Sequence, residues 1–230
     1  MPVVCRLWWV VLGLLAAQPL LAAQLIKVGA YHFPPYVSKP EAEQAQGLLP
    51  DLLSALNAEQ GEYQFVLVPT SVPRRFRDLQ SARYDLIMFE SPSWGWQNTP
   101  HETFDLQVQD AEVYVAKAVA GRGQDYFAQF SGKRMALYSG YHYGFAQFNA
   151  DPEYLTKQFN AVLTYSHDSN LLMVLRERAD LTVVTRSYLH HYLLRYPEQR
   201  PQMLVSERVD QVYRHQALLR PHAPISAQAL

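Results

Sequence analysis

Leu25-Ile26-Lys27-Val28-Gly29-Ala30 running into Tyr31-His32-Phe33-Pro34-Pro35-Tyr36 reads as a short apolar strand that ends in an extended aromatic loop. Each proline fixes its own φ and bars the residue before it from the helical region, so the strand must stop there. Working outward, Gly47 precedes a helix over Leu48 to Ala58, with Pro50 in its first turn and apolar residues at helical spacing. Tyr63 to Val68 reads as a strand, and Val72 to Ser81 as a helix carrying Arg74, Arg75 and Arg77. Asp85-Leu86-Ile87-Met88-Phe89 is a buried strand. The order β-α-β-α-β predicts an α/β fold, a sheet covered by helices.

Residues 90 to 112, starting Glu90-Ser91-Pro92-Ser93-Trp94-Gly95-Trp96, read as a long aperiodic loop, and loops of that length usually carry function. Glu112 to Lys117 resumes as strand. A second α/β series follows: strand at Lys133 to Tyr138, a loop Ser139 to Gly144 opening a helix near Phe145, and strand at Ala161 to Tyr165. Then come a helix from Asp168 to Arg178, strand from Leu181 to Thr185, and helix from Ser187 to Leu194. Strands at Met203 to Ser206 and Val212 to Leu219 close the series. The tail from Pro224 to Leu230 reads as a helix start halted after one turn. One turn does not repay its nucleation without packing. It is expected to be poorly ordered and to leave apolar surface uncovered.

The N-terminus speaks to location. Arg6, then Leu7 to Ala17, then Pro19 and Ala22-Ala23 form a charged start, a short apolar run and a small-residue exit. That pattern predicts a signal peptide over residues 1–23, cleaved after Ala23, and a periplasmic mature chain. The only cysteine, Cys5, lies in that segment, so the mature chain forms no internal disulfide. Without Arg6 the 20 basic residues become 19, against 21 acidic ones. That balance gives no footprint for nucleic acid.

The order and spacing of several segments resemble the periplasmic solute-binding proteins of amino-acid import systems, family 3, with the type II binding-protein fold. The segments are Val28-Gly29-Ala30 through Tyr36, Gly47 to Leu53, Leu79 to Asp85, Gly132 to Ala136, Ser139-Gly140 and Arg178-Ala179-Asp180. The resemblance implies two α/β lobes joined by two hinge crossings, near Glu112 to Ala116 and near Met203 to Ser206. Lobe 1 would hold residues 24–112, with 207–230 returning to it, and lobe 2 residues 113–206. The two lobes would not share one continuous sheet. A solute would bind between the lobes, which close about the hinge. The partner would be an ABC-transporter permease, the protein a monomer, and no cofactor or metal would be needed.

The departures from that family matter for the ligand. The arginine that clamps an amino-acid carboxylate matches Gln97 here, and no arginine stands between Arg83 and Arg122. The aspartate that pairs with the ammonium matches Thr185. Both anchors are missing, which argues against an ordinary α-amino acid. The candidate ligand-binding residues are Tyr31, Phe33, Tyr36, Arg75, Glu90, Ser91, Trp94, Trp96, Tyr141, His142, Tyr143, Thr185 and Ser187. Glu90 among aromatic faces suits a cationic or neutral small molecule, through charge pairing and cation–π contact. Trp94 and Trp96 read as a lid. One of Arg74, Arg75 and Arg77 could instead face the cleft and restore a carboxylate clamp. Ser139, His142 and Asp168 lack the glycine-flanked turn of a nucleophile, so the chain reads as a binding protein and not an enzyme. The alternatives are a periplasmic sensor for a membrane partner, or a dehydratase-like enzyme using Glu90 with His142.

Overall fold

The computed structural model describes residues 22–230, so all but the last two residues of the expected signal peptide lie outside the described residues. The first series forms β1 (Gln24–Ala30), α1 (Leu48–Glu59), β2 (Tyr63–Pro69), α2 (Arg75–Gln80) and β3 (Leu86–Glu90). β1 pairs in parallel with both β2 and β3. α2 is shorter than the sequence predicts: Val72 to Arg74 form turns and the helix begins at Arg75. Next comes β4 (Glu102–Lys117), then β5 (Met135–Tyr138), α3 (Pro152–Phe159), β6 (Ala161–Thr164), α4 (His167–Leu175), β7 (Leu181–Thr185), α5 (Arg186–Arg195) and β8 (Met203–Leu219). β5 pairs in parallel with β6 and β7.

The helix expected near Phe145 is only a 3-10 turn at Gly144–Ala146. The α-helix waits for Asp151, whose carboxylate accepts the Tyr154 N–H, and for Pro152 at the first helical position. The expected loop over residues 90 to 112 is overturned in its second half. Phe104, Leu106 and Val108 alternate with polar neighbours, and these residues belong to the 16-residue strand β4. The two expected strands at Met203 to Ser206 and Val212 to Leu219 are likewise one strand of 17 residues.

β4 and β8 form a long antiparallel ribbon from Glu102↔Leu219 to Lys117↔Met203. β3 joins β8 near Gln216 to Leu219, and β7 joins β4 over Glu112 to Ala116. The result is one eight-stranded sheet in the order β2-β1-β3-β8-β4-β7-β5-β6. The expected break between two sheets is therefore absent: the ribbon hydrogen-bonds to one parallel triplet at one end and to the other at its opposite end. Met203 to Val205 pair with Val115 to Lys117 at the second-half end of the ribbon. Each half keeps its own core. Ile26, Leu49, Leu79, Leu86 and Trp96 belong to one, and Met135, Leu137, Leu155 and Leu181 to another.

The tail differs from its expectation. Ile225 is buried, 3% exposed, and Ala223, Ala227 and Leu230 pack on the first core. Apolar contact holds the segment without a helix. An apolar groove lined by Leu48, Leu52, Leu56, Phe104 and Leu106 still opens beside Leu230.

Candidate functional site

A small cavity of about 20 Å³ lies where the two halves meet the ribbon. Tyr31, Phe33, Val72, Arg75 and Trp94 come from the first half, Gly140, Tyr141, His142 and Tyr143 from the second, and Glu112 and Gln211 from the ribbon. A wider, open cleft of about 600 Å³ shares Tyr31, Val72, Arg75, Gly140 and His142 with it and extends to His32, Glu41, Ser139 and Tyr165. The halves touch closely around the cavity. A Cβ on Gly140, at φ +82°, would meet Val72 Cγ1 at 2.8 Å. A Cβ on Gly95, at φ +85°, would meet His142 Nε2 at 2.8 Å. Only glycine fits at these two crossings, for backbone and steric reasons together.

Gln211 links the halves by hydrogen bonds. Its side-chain oxygen accepts from Trp94 Nε1 at 3.0 Å, and its Nε2 donates to the His142 carbonyl at 2.7 Å. Asp110 makes the parallel link below. It accepts from the Tyr36 hydroxyl at 2.6 Å and from the Ser187 hydroxyl.

Arg75 is the arginine that faces the cavity, while Arg74 and Arg77 are exposed on the helix surface. Its guanidinium is already engaged. It donates to the carbonyls of Val72 at 2.6 Å and Trp94 at 3.1 Å, and its Nε stands 3.4 Å from Glu90 Oε1. It also lies over the rings of Phe76 at 4.3 Å and Tyr31 at 5.3 Å. Glu90 is fully buried, and its other oxygen accepts from Trp96 Nε1 at 2.8 Å. Burial pushes the Glu90 carboxyl up, while the Arg75 charge and the Trp96 N–H pull it down. Glu90 is thus the counter-ion of Arg75 and not a cavity acid.

Glu112 is the acid on the cavity wall. Its Oε1 accepts from Thr185 Oγ1 at 3.0 Å and from the Tyr213 hydroxyl at 3.2 Å, and its Oε2 has no partner. Burial is the main cause that pushes it up to about 8. The Tyr141 hydroxyl is also buried without a partner. Burial and the Arg75 charge hold His142 down at about 4, so its imidazole is neutral at pH 7.

Solved structures place this architecture. The chain is similar to an arginine-bound ArgBP from T. maritima, with TM-score 0.61, 16% identity, and 85% of this chain covering 88% of that one. It is similar to a substrate-binding protein of an ABC uptake transporter from Streptococcus pneumoniae with bound histidine, with TM-score 0.67, 17% identity and coverage of 89% and 83%. It is also similar to the GluR0 ligand-binding core from Nostoc punctiforme in complex with L-glutamate, with TM-score 0.64, 15% identity and coverage of 86% on each side. The fold is that of the two-lobed, family 3 solute-binding proteins. No protein-family model matches the chain, and no curated protein sequence matches it.

On this binding-protein fold, Tyr31, Phe33, Arg75, Trp94, Tyr141, His142 and Tyr143, all candidates from the sequence, line one cavity. Six other candidates do not reach its wall. Trp96 is fully buried behind Arg75, edge-on to Phe76 at 4.6 Å, so it is core and not a lid. Trp94 lines the cavity but is anchored to Gln211 and packs on Tyr213 at 4.7 Å, so it is a fixed wall. Glu90 faces Arg75. Ser91 pairs with Ser93 at 2.8 Å. Tyr36 and Ser187 bind Asp110, and Thr185 reaches the site only through Glu112. Glu112 and Gln211 are absent from the sequence-based candidates. The signal for Glu112 is its charge inside the apolar run Ala111-Glu112-Val113-Tyr114-Val115-Ala116. Nothing in its sequence context marks Gln211.

Proposed function

We propose that the chain is an exported solute-binding protein, which captures a small polar molecule, cationic or neutral, between two lobes for ABC-type import. The observation that carries this reading is the cavity walled jointly by the first half, the second half and the ribbon. Small-molecule sites commonly lie between domains, enclosed, apolar and edged by a few polar groups. The lobes would be residues 24–112 with 207–230, and residues 113–206, moving about the β4/β8 ribbon. The periplasmic location rests on the residues 1–23 pattern. Among the described residues no helix is long and apolar enough to cross a membrane.

Binding fits the site better than catalysis. The acid–base pair Glu90 with His142 is not assembled, since Glu90 is turned to Arg75 and Trp96. A second reading, a ligand sensor for a membrane partner, draws on the likeness to the GluR0 ligand-binding core. Capture of a permease from solubilised membranes by the loaded protein favours import, and capture of a signalling protein favours the sensor. The direct test is a thermal-shift screen of the mature chain against amines, amino acids, peptides and aromatic acids. One class should raise the melting temperature by several degrees, and Trp94→Ala should remove most of that rise. A ligand located outside the cavity by crystallography would defeat the proposal.

A further inference from the structure

Three polar atoms on the cavity residues are buried without a hydrogen-bond partner; Arg75 Nε stands against its counter-ion Glu90, and the other two have no such neighbour. Glu112 on β4 is 3% exposed, and its Oε2 has no partner. Tyr141, in the loop after β5, carries the other, its hydroxyl. Buried polar atoms are almost always paired, so two such exceptions on the lining of one cavity ask for a partner from outside the chain.

The charges around them leave the site negative. Arg75, the cation on the cavity wall, is matched by Glu90 and spends donors on two carbonyls. Asp110 is saturated by Tyr36, Ser187 and the Ala111 N–H. Asp210 is saturated by the Tyr114 hydroxyl at 2.6 Å and by the N–H groups of Gly144 and Phe145. Both carboxylates act on Glu112 from the ribbon. Burial holds Tyr31, Tyr141, Tyr143 and Tyr213 protonated, and His142 is neutral. Arg208 on β8 lies exposed over the rings of Tyr114 and Phe130, off the cavity wall.

We propose that the solute is a small organic cation whose ammonium or guanidinium head fills the free positions of Glu112 and Tyr141. The proposal rests on the solute-binding reading and names the ligand class. In the empty protein Glu112 is protonated at neutral pH, because burial, Asp210 and Asp110 outweigh the hydrogen bonds from Thr185 and Tyr213. A cation requires the carboxylate, so its capture displaces that proton to solvent. Affinity for a cation therefore rises with pH, by up to about tenfold per unit, and levels off above about pH 8. A neutral solute gives no slope. An anion gives the opposite one, since it needs the protonated acid.

Isothermal titration of the purified protein with arginine, lysine and putrescine, and with glutamine and glutamate as neutral and anionic controls, tests this between pH 6 and pH 8.5. Running it in phosphate and in Tris counts the protons released. The expected result is tightest binding of a cationic probe, an affinity that climbs with pH, and about one proton released per probe at pH 7. Glu112→Gln should abolish the release and weaken the cation at least tenfold, while Tyr141→Phe should weaken it severalfold with the release intact. Tightest binding of glutamine or glutamate, without proton release, overturns the cation proposal and leaves the solute-binding reading standing. Binding of none of the five at millimolar concentration overturns both.

Discussion

Two buried glutamates lie near one cavity, Glu112 on its wall and Glu90 against the wall residue Arg75, and their surroundings are opposite. Glu90 ends β3 and meets a guanidinium and an indole N–H. Glu112 sits inside the ribbon, meets two hydroxyls and has one oxygen without a partner. Burial penalises the ionised form of both, but only Glu90 has a counter-charge within salt-bridge reach. A paired buried charge is a structural element that is costly to break. A buried carboxyl without a counter-charge, with one oxygen unpartnered, leaves a hydrogen-bond position to be completed from outside the chain. The contrast separates scaffold from binding wall better than residue type does, since the two side chains are chemically identical.

The strongest test of the contrast removes the counter-charge. Arg75→Met strands Glu90 as a buried acid and should cost about 3–5 kcal/mol of stability by denaturant unfolding. Adding Glu90→Leu should restore much of it. A single variant that loses less than 1 kcal/mol would mean that the pair is not a structural unit.

Glu112 should show itself through pH. Its folded value of about 8 lies above the ordinary carboxylate value near 4.3. Between the two, the unfolded chain is ionised while the folded chain holds a proton, so stability falls as pH rises. The loss begins near the unfolded value, reaches up to about 1.4 kcal/mol per pH unit, and stops above about pH 8. Glu112→Gln lacks this slope and should be more stable than the parent at pH 8. Parallel stability curves for the two proteins would place Glu112 among the paired acids and erase the distinction.

The crossings between halves give smaller effects. Gly140→Ala forces a left-handed alanine against Val72, and should destabilise by about 1–2 kcal/mol. It should also weaken ligand capture by holding the halves apart, which small-angle scattering of the loaded protein would register as a larger radius of gyration. Least of all, Tyr36→Phe removes one of the donors to Asp110 and should cost about 0.5–1.5 kcal/mol in thermal unfolding, with ligand affinity unchanged. A large affinity loss from Tyr36→Phe would show that the Asp110 link belongs to the binding wall.

Much of the site was legible one segment at a time. The aromatic loop after β1 and the Tyr141-His142-Tyr143 turn sit at the ends of periodic elements, where a fold of this class presents its loops, and Arg75 lies in the arginine-bearing segment that reads as a helix. Trp94 stands in the stretch that reads as an aperiodic loop, and it lines the cavity as a fixed wall and not as a lid. Trp96, two residues on, was misjudged: both flank Gly95, and only the left-handed turn there sends one ring to the cavity and the other behind Arg75. The ribbon was the larger miss. Phe104, Leu106 and Val108 do alternate, but half of each turn of that pattern is exposed, and the run of apolar residues that flags a buried strand is lacking.

Local pattern is what the sequence by itself determined: an α/β chain in two series, an aromatic-rich loop set, a signal-type N-terminus and an arginine cluster with one member suited to the cleft. Those are near-neighbour properties, set by propensity, proline and periodicity within a few residues. Tertiary structure alone decided which acid is free. Glu90 lies 15 residues from Arg75 in sequence, and Glu112 lies 73 residues from Thr185 and 101 from Tyr213. Whether a buried carboxylate is neutralised, hydrogen-bonded or left open depends on partners brought from other strands. No pattern local to the acid carries that information, because the energy of a buried charge is set by everything that surrounds it in space.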